Sequence, residues 1–302
     1  MHILATEGLT KRFPTVTALD RLSLTIGSGV TGLVGANGAG KSTLIKILLG
    51  LLPPSEGTAR VLDLDVATRG ADIRRFVGYM PEHECLPPDV SATEFVVHLA
   101  QMSGLPRTAA RERAADVLRH VGLAEERYRA IGGYSTGMKQ RVKLAQSLVH
   151  DPKLILLDEP TNGLDPRGRD EMLTLIRRIG TEFGISVLVT SHLLGELERI
   201  CDHVVVIDAG RLLRSSAITE FTHATQTVTV EVDEGTQALA DRLTEQGQTV
   251  TPHGRLLVVK VLGPETFDAV RDATVDLDLC LIRMEQGRHR IEDVFREEAT
   301  SV

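Results

Sequence analysis

The chain has 302 residues, enough for one large domain or two with ample core. A formal net charge of −7, no Trp and only 3% aromatics argue against a basic nucleic-acid-binding surface and against a stacking platform for single strands. Cys85, Cys201 and Cys280 are too scattered for a disulfide framework or a metal site, the opening MHILATEGLTKRF lacks a signal peptide's apolar run, and no stretch approaches the ~20 apolar residues of a membrane helix. A soluble protein of a reducing cytosol is expected; if it works at a membrane, a partner must supply the membrane part.

In chain order, residues 1 to about 80 read as short strands separated by turns. A strand over residues 30–34 leads into GANGAGKST, residues 35–43, and a helix over 44–51 with Leu44, Ile47, Leu48 and Leu51 on one face. The nine residues fit G-x-x-x-x-G-K-[ST] with Gly35, Gly40, Lys41 and Ser42 in the fixed places. Such a loop wraps phosphates with backbone N–H groups, and small residues let the backbone approach closely. The following helix adds its positive N-terminal end. Lys41 would reach the β and γ phosphates and Ser42 would hold Mg²⁺. A strand is expected near residues 60–64, after the Pro-Pro turn.

Residues 86–130 change to helical texture. Ser91 and Glu94 make a capping box ahead of Phe95, Leu99 and Met102, and Ala110, Ala114, Val117, Leu118 and Val121 recur at helical spacing. Arg107, Arg111, Arg113 and Arg119 read as a solvated face. From residue 154 to 207 apolar strands alternate with helices, one of them near residues 169–180, which implies a buried, mostly parallel sheet. Past residue 220, Val228, Val230 and Val232 alternate as a half-buried strand. Leu239 and Leu243 mark a helix, RLLVVKVL a strand, Phe267, Val270 and Ala273 a second helix, and LCLIRM a last strand. The order β-α-β-β-α-β fits a small ferredoxin-like domain.

A phosphate loop alone does not choose among NTPases. LILLDEPTNGLDP, residues 154–166, is an apolar strand ending in two carboxylates, at the sheet edge where ligands bind. There Asp158 can hold Mg²⁺ and Glu159 can take the proton of an attacking water. A plain strand terminus is the competing reading, weakened by Lys41 in the same chain. With YSTGMKQR at residues 134–141 and Ser191-His192 further on, the ordered set over residues 3 to about 220 resembles the ATP-binding subunits of ABC transporters.

That resemblance implies an α/β P-loop ATPase core over residues 1–220, with a helical subdomain at about 86–140, and an accessory α+β domain over 221–302. It implies ATP and Mg²⁺ as ligands, and ATP hydrolysis as the activity. Phe13 would stack on adenine, with a core aromatic as the alternative. Asn37, Gly38, Ala39, Gly40, Lys41, Ser42 and Thr43 would cradle the phosphates. Ser135 and Gly137 would contact the γ-phosphate of ATP held by a second copy. Asp165 would lie in the loop that communicates between the sites, and His192 would touch the γ-phosphate. Two departures stand out. The signature loop is Tyr134-Ser135-Thr136-Gly137-Met138, where Leu-Ser-Gly-Gly-Gln is usual. Glu82 also stands where Gln is usual, next to the metal. The tail, with IEDVFREE at residues 291–298, looks like that of subfamilies exporting drugs, antibiotics or ions. The implied partners are a separate polytopic permease and a second copy of the chain, with no nucleic acid. The implied place is the cytoplasmic face of the membrane. The alternatives are an ABC-type ATPase acting on ribosomes or nucleic acid, and a regulatory module without transport.

Overall fold

The computed structural model describes residues 2–222 and 224–288; the IEDVFREE segment lies outside them. Backbone contacts divide the chain into two compact units, residues 1–218 and 219–302. In the first, β1 (Leu4–Phe13), β2 (Val16–Ile26) and β3 (Val30–Val34) precede α1 (Lys41–Leu48). β4 (Glu56–Val61), β5 (Leu64–Asp65), α2 (Val66–Phe76) and β6 (Val77–Met80) follow. Then come α3 (Ala92–Met102), α4 (Arg107–His120), α5 (Thr136–Leu148), β7 (Leu154–Leu157), α6 (Pro166–Glu182), β8 (Ser186–Ser191), α7 (Leu194–Ile200), β9 (His203–Asp208) and β10 (Arg211–Ala217).

Two sheets share this unit. One has the order β2-β1-β4-β5 and is antiparallel; the other has the order β10-β9-β3-β8-β7-β6. In the second sheet β9, β3, β8, β7 and β6 run parallel, and β10 closes one edge antiparallel. Strands buried on both faces read as nearly continuous apolar runs, and β3, β7 and β8 are buried along their whole length, with Thr31, Ser186, Thr190 and Ser191 as their buried polar residues. A core of leucine, isoleucine and valine joins the antiparallel sheet to α1, whose Leu44, Ile45, Ile47 and Leu48 are all fully buried. Each of those side chains contributes roughly 1.5–3 kcal/mol of burial.

Two expectations are corrected here. The first helix begins at Lys41 and ends at Leu48, so Leu51 lies beyond it, exposed. The strand near residue 60 is β4, ending at Val61, because Leu62 and Asp63 take positive φ and turn the chain into β5. On α3 the buried face is Ala92, Val96 and Ala100, while Met102 is exposed. The capping box forms: Ser91 Oγ accepts from Glu94 N, and a Glu94 carboxylate oxygen accepts from Ser91 N.

The second unit has α8 (Ile218–Thr222), which straddles the boundary, then β11 (Ala224–Val232), α9 (Thr236–Glu245), β12 (Val250–His253), β13 (Leu256–Lys260), α10 (Glu265–Asp276) and β14 (Leu281–Arg288). Its antiparallel sheet has the order β12-β13-β11-β14, the ferredoxin-like arrangement. Val228, Val230 and Val232 pack with Leu239, Leu243, Val270 and Ala273 in its core.

Candidate functional site

Four neighbouring strands, β6, β7, β8 and β3, end on one edge of the parallel sheet. Register fixes this: Met80 lies beside Leu157, Leu157 beside Val189, and Val34 beside Ser191. The residues just past those ends are Glu82, Asp158 with Glu159, His192, and the loop at residues 35–40. Ligands of open α/β sheets bind at such carboxyl ends.

The loop closes tightly for reasons of space. A Cβ at Gly35 would sit 2.5 Å from the Ile207 carbonyl oxygen. Gly40 takes φ +101°, and a Cβ there would meet the Ala18 carbonyl oxygen at 2.5 Å. α1 then starts at Lys41, its N-terminal N–H groups facing the loop. Lys41 is 7% exposed; its Nζ donates to the carbonyls of Gly35 at 2.7 Å and Ala36 at 3.3 Å, and lies 3.6 Å from Glu159 Oε1. A cavity of about 340 Å³ opens beside it. Ala18, Ala36, Asn37, Gly38, Gly40, Lys41, Ser42, Thr43, Glu82, Asp158 and Glu159 line that cavity. Gly35 and Ala39 stand behind the lining and shape it through backbone.

Asp158 and Glu159 are both buried. Thr190 on β8 fixes them: its Oγ1 donates to Asp158 Oδ1 and accepts from Glu159 N, each at 2.9 Å. Glu159 takes φ +49°, a left-handed conformation that costs a non-glycine residue of order 1–3 kcal/mol and is found where function demands it. His192 Nδ1 lies 2.9 Å from Glu159 Oε2. Glu159 Oε1 is buried with no hydrogen-bond partner, its nearest charge the Lys41 ammonium at 3.6 Å, and Glu159 lines the cavity. Glu82 Oε1 accepts from Asn162 Nδ2 at 3.3 Å, and the Glu82 carbonyl accepts from the buried Lys143 Nζ at 2.9 Å. Burial lowers the Lys143 pKa, and on β6 burial, aided by the Asp158 charge, pushes Tyr79 up to about 12.

The donor set fits Mg²⁺. That ion takes oxygen ligands and is held by one or two carboxylates plus substrate phosphates, not by an all-protein cage. Ser42, Asp158 and Glu82 offer oxygens on one cavity wall, and no cluster of three or more metal-binding side chains occurs among the described residues. Phe13 lies outside the cavity lining at the end of β1, 41% exposed, with Lys11 Nζ 5.3 Å from its ring centre. It is therefore a surface aromatic, and the core-aromatic alternative falls.

Ser135, Gly137 and Asp165 line a second cavity, of about 600 Å³, away from Lys41. Ser135 caps α5, its Oγ accepting from Met138 N at 3.3 Å, and Asp165 caps α6, accepting from Gly168 N at 3.0 Å. Thr136 and Met138, the departures in the signature loop, line this cavity too. The two cavities are linked inside the protomer: Gln140 of α5 donates to the Asn162 carbonyl, and Asn162 donates to Glu82. Sequence reasoning missed Thr190, Ala18 and Asn162. Only the neighbourhood of Asn162, inside the DEPTN run, carried a signal.

A family profile described as ABC transporter matches residues 19–162. YxlF of Bacillus subtilis (strain 168), an uncharacterised ABC transporter ATP-binding protein, is 32% identical over 296 residues, covering 97% of this chain and 98% of its own. The daunorubicin/doxorubicin resistance ATP-binding protein DrrA of Streptomyces peucetius is 36% identical over 252 residues, 82% of this chain and 76% of that protein. The solved structure of cbiO1 from Clostridium perfringens, part of an ABC transporter complex, matches with TM-score 0.66 and 30% identity, over 72% of this chain and 90% of that one.

Proposed function

The chain belongs to the ABC transporter ATP-binding family, and from that premise we propose that it is the ATP-hydrolysing subunit that energises export through a separate polytopic permease. One observation carries the reading: the phosphate loop, Glu82, Asp158 and Glu159 line one cavity, with His192 held against Glu159, while Ser135, Gly137 and Asp165 line another. Each protomer then holds two incomplete halves. Two copies placed head to tail would bring the Ser135 loop of one over the nucleotide bound at Lys41 of the other, giving two ATP per dimer. ATP binds that closed pair better than separate copies, and the difference in affinity shifts the population.

Within each site the chain's own groups divide the work. The Lys41 ammonium exchanges the Gly35 and Ala36 carbonyls for phosphate oxygens as ATP enters. Ser42, Asp158 and Glu82 are the residues that would hold Mg²⁺, which when bound supplies positive charge against the phosphates. As the ammonium turns to the phosphates it releases Glu159 Oε1, which takes a proton from the attacking water. His192 holds the other carboxylate oxygen and faces the terminal phosphate. Hydrolysis lets the copies part.

Export is supported by the resistance function in the name of DrrA. No helix among the described residues is long and apolar enough to cross a membrane. With a permease as its partner the chain would work at the inner face of the membrane, its helical lobe around residues 86–102 against that permease. Co-purification from membranes with the permease, followed by ATPase assay with and without it, tests this. The expected result is a stable complex with permease-dependent turnover. A chain that never leaves the soluble fraction, with turnover indifferent to the permease, would reject it.

A further inference from the structure

α7, directly after His192, carries a buried acid that the reaction above does not use. Glu196 is 7% exposed. Its Oε2 accepts from Thr161 Oγ1 at 2.8 Å and from Ser191 Oγ at 3.2 Å. Its Oε1 lies 3.0 Å from Arg169 Nε; neither atom has a hydrogen-bond partner, so the contact is electrostatic and not aligned. One carboxylate thus joins the end of β8, the loop after β7 and the first turn of α6.

Each contact leads to a functional group within a step or two. Ser191 is bonded to His192 through the chain, and its Oγ also accepts from Leu193 N at 3.0 Å, which shapes the turn that presents the imidazole. Thr161 is two residues past Glu159, and its carbonyl accepts from Leu164 N at 3.2 Å at the start of the turn into Asp165. Arg169 sits one turn into α6 and donates its backbone N–H to the Asp165 carbonyl at 2.9 Å. Glu159, with His192 bonded to it, lines the first cavity; Asp165 lines the second.

We propose that Glu196 is a positioning residue that locks the Glu159–His192 pair to the Asp165 turn, so that the two nucleotide-facing surfaces of a protomer move as one. This rests on the reading that those surfaces serve two ATP sites. A buried, charged, multiply bonded group acts on all its partners at once, and its effects on them are not additive. Glu196→Gln separates charge from shape. The amide can still accept from Thr161 and Ser191 but no longer attracts Arg169, so the link to α6 is cut while the space stays filled.

The test is steady-state ATP turnover by the full chain across ATP concentrations, with circular dichroism melting as the folding control. For Glu196→Gln we expect KM within about twofold of wild type, kcat down about tenfold or more, and a Hill coefficient falling toward one. Arg169→Gln should behave the same way, and the double variant should be no worse than either single. A Glu196→Gln protein with wild-type kcat and Hill coefficient overturns the proposal. So do single-variant losses that multiply in the double. Should Glu196→Gln fail to fold, Thr161→Val cuts another arm of the same link: lowered kcat at unchanged KM supports the role, and wild-type kinetics rejects it. A wild-type chain that turns over as a non-cooperative monomer sinks the two-site reading itself. A cooperative wild type beside an unaffected Glu196→Gln sinks only the part given to Glu196.

Discussion

Lys41→Ala strips out an ammonium that the loop holds with two carbonyls and a carboxylate. Lys41 and Glu159 are both about 7% exposed, so solvent screens the pair weakly. At 3.6 Å and an effective dielectric near 20, their attraction is about 5 kcal/mol before desolvation is counted. Breaking a buried pair from one side costs about 3–5 kcal/mol, because the remaining charge is stranded. The cavity beside Lys41 admits water, which favours the lower end, about 3 kcal/mol. For a unit of about 200 residues that is a fall of roughly 6–12 °C in melting midpoint. Adding Glu159→Gln removes the stranded charge, so the double variant should recover part of the loss. ATP at about one hundred times its Kd should stabilise the wild type by about 2.7 kcal/mol, or roughly 5–11 °C, and Lys41→Ala not at all. Thermal melting with and without MgATP reads all of this. A Lys41→Ala protein that melts within about 2 °C of wild type and still shifts with ATP would refute the argument.

Three further outcomes follow from the geometry. Glu159→Gln should lower kcat by about 10²–10⁴ while ATP binding is retained, since a positioned base is lost and a buried negative charge near the phosphates goes with it; single-turnover assay and calorimetry check the two halves. Thr190→Val should also lower turnover, by roughly tenfold or more, because Asp158 loses a donor and the Glu159 backbone N–H loses its acceptor in one substitution; unchanged kcat would mean neither bond positions the carboxylates. Phe13→Ala should weaken ATP binding by about 1–3 kcal/mol, the worth of one base stacked on an aromatic ring, with no loss of melting temperature, because the ring is exposed; a fluorescent ATP analogue reports the affinity.

Much of this site is legible in the chain because its chemistry is local. The residues from Gly35 to Thr43 are contiguous, and so are Asp158 and Glu159. An apolar strand must deliver its last side chains to the sheet edge, so reading LILLDE places the carboxylates without coordinates. What sequence leaves open is long-range pairing. Thr190 looks like any β-branched residue in a buried strand, and only the register of β8 against β7 sets its hydroxyl between Asp158 and Glu159. Glu196 is hidden for the same reason. On α3 two apolar stripes satisfy the helical period. Nothing in the sequence ranks the larger Phe95, Leu99 and Met102 below Ala92, Val96 and Ala100, which are the buried residues of a helix packed against α4 and α5. The β-α-β-β-α-β order of the tail was readable because its valines alternate cleanly.

In the proposed head-to-tail pair, neither cavity is a complete site within one chain. Light scattering on the Glu159→Gln protein, with and without saturating MgATP, measures this most directly. The expected mass is two chains with ATP and one without, returning to one when Ser135→Arg is added to block the second cavity. A single-chain mass with nucleotide bound at Lys41, or a two-chain mass indifferent to Ser135→Arg, would contradict it.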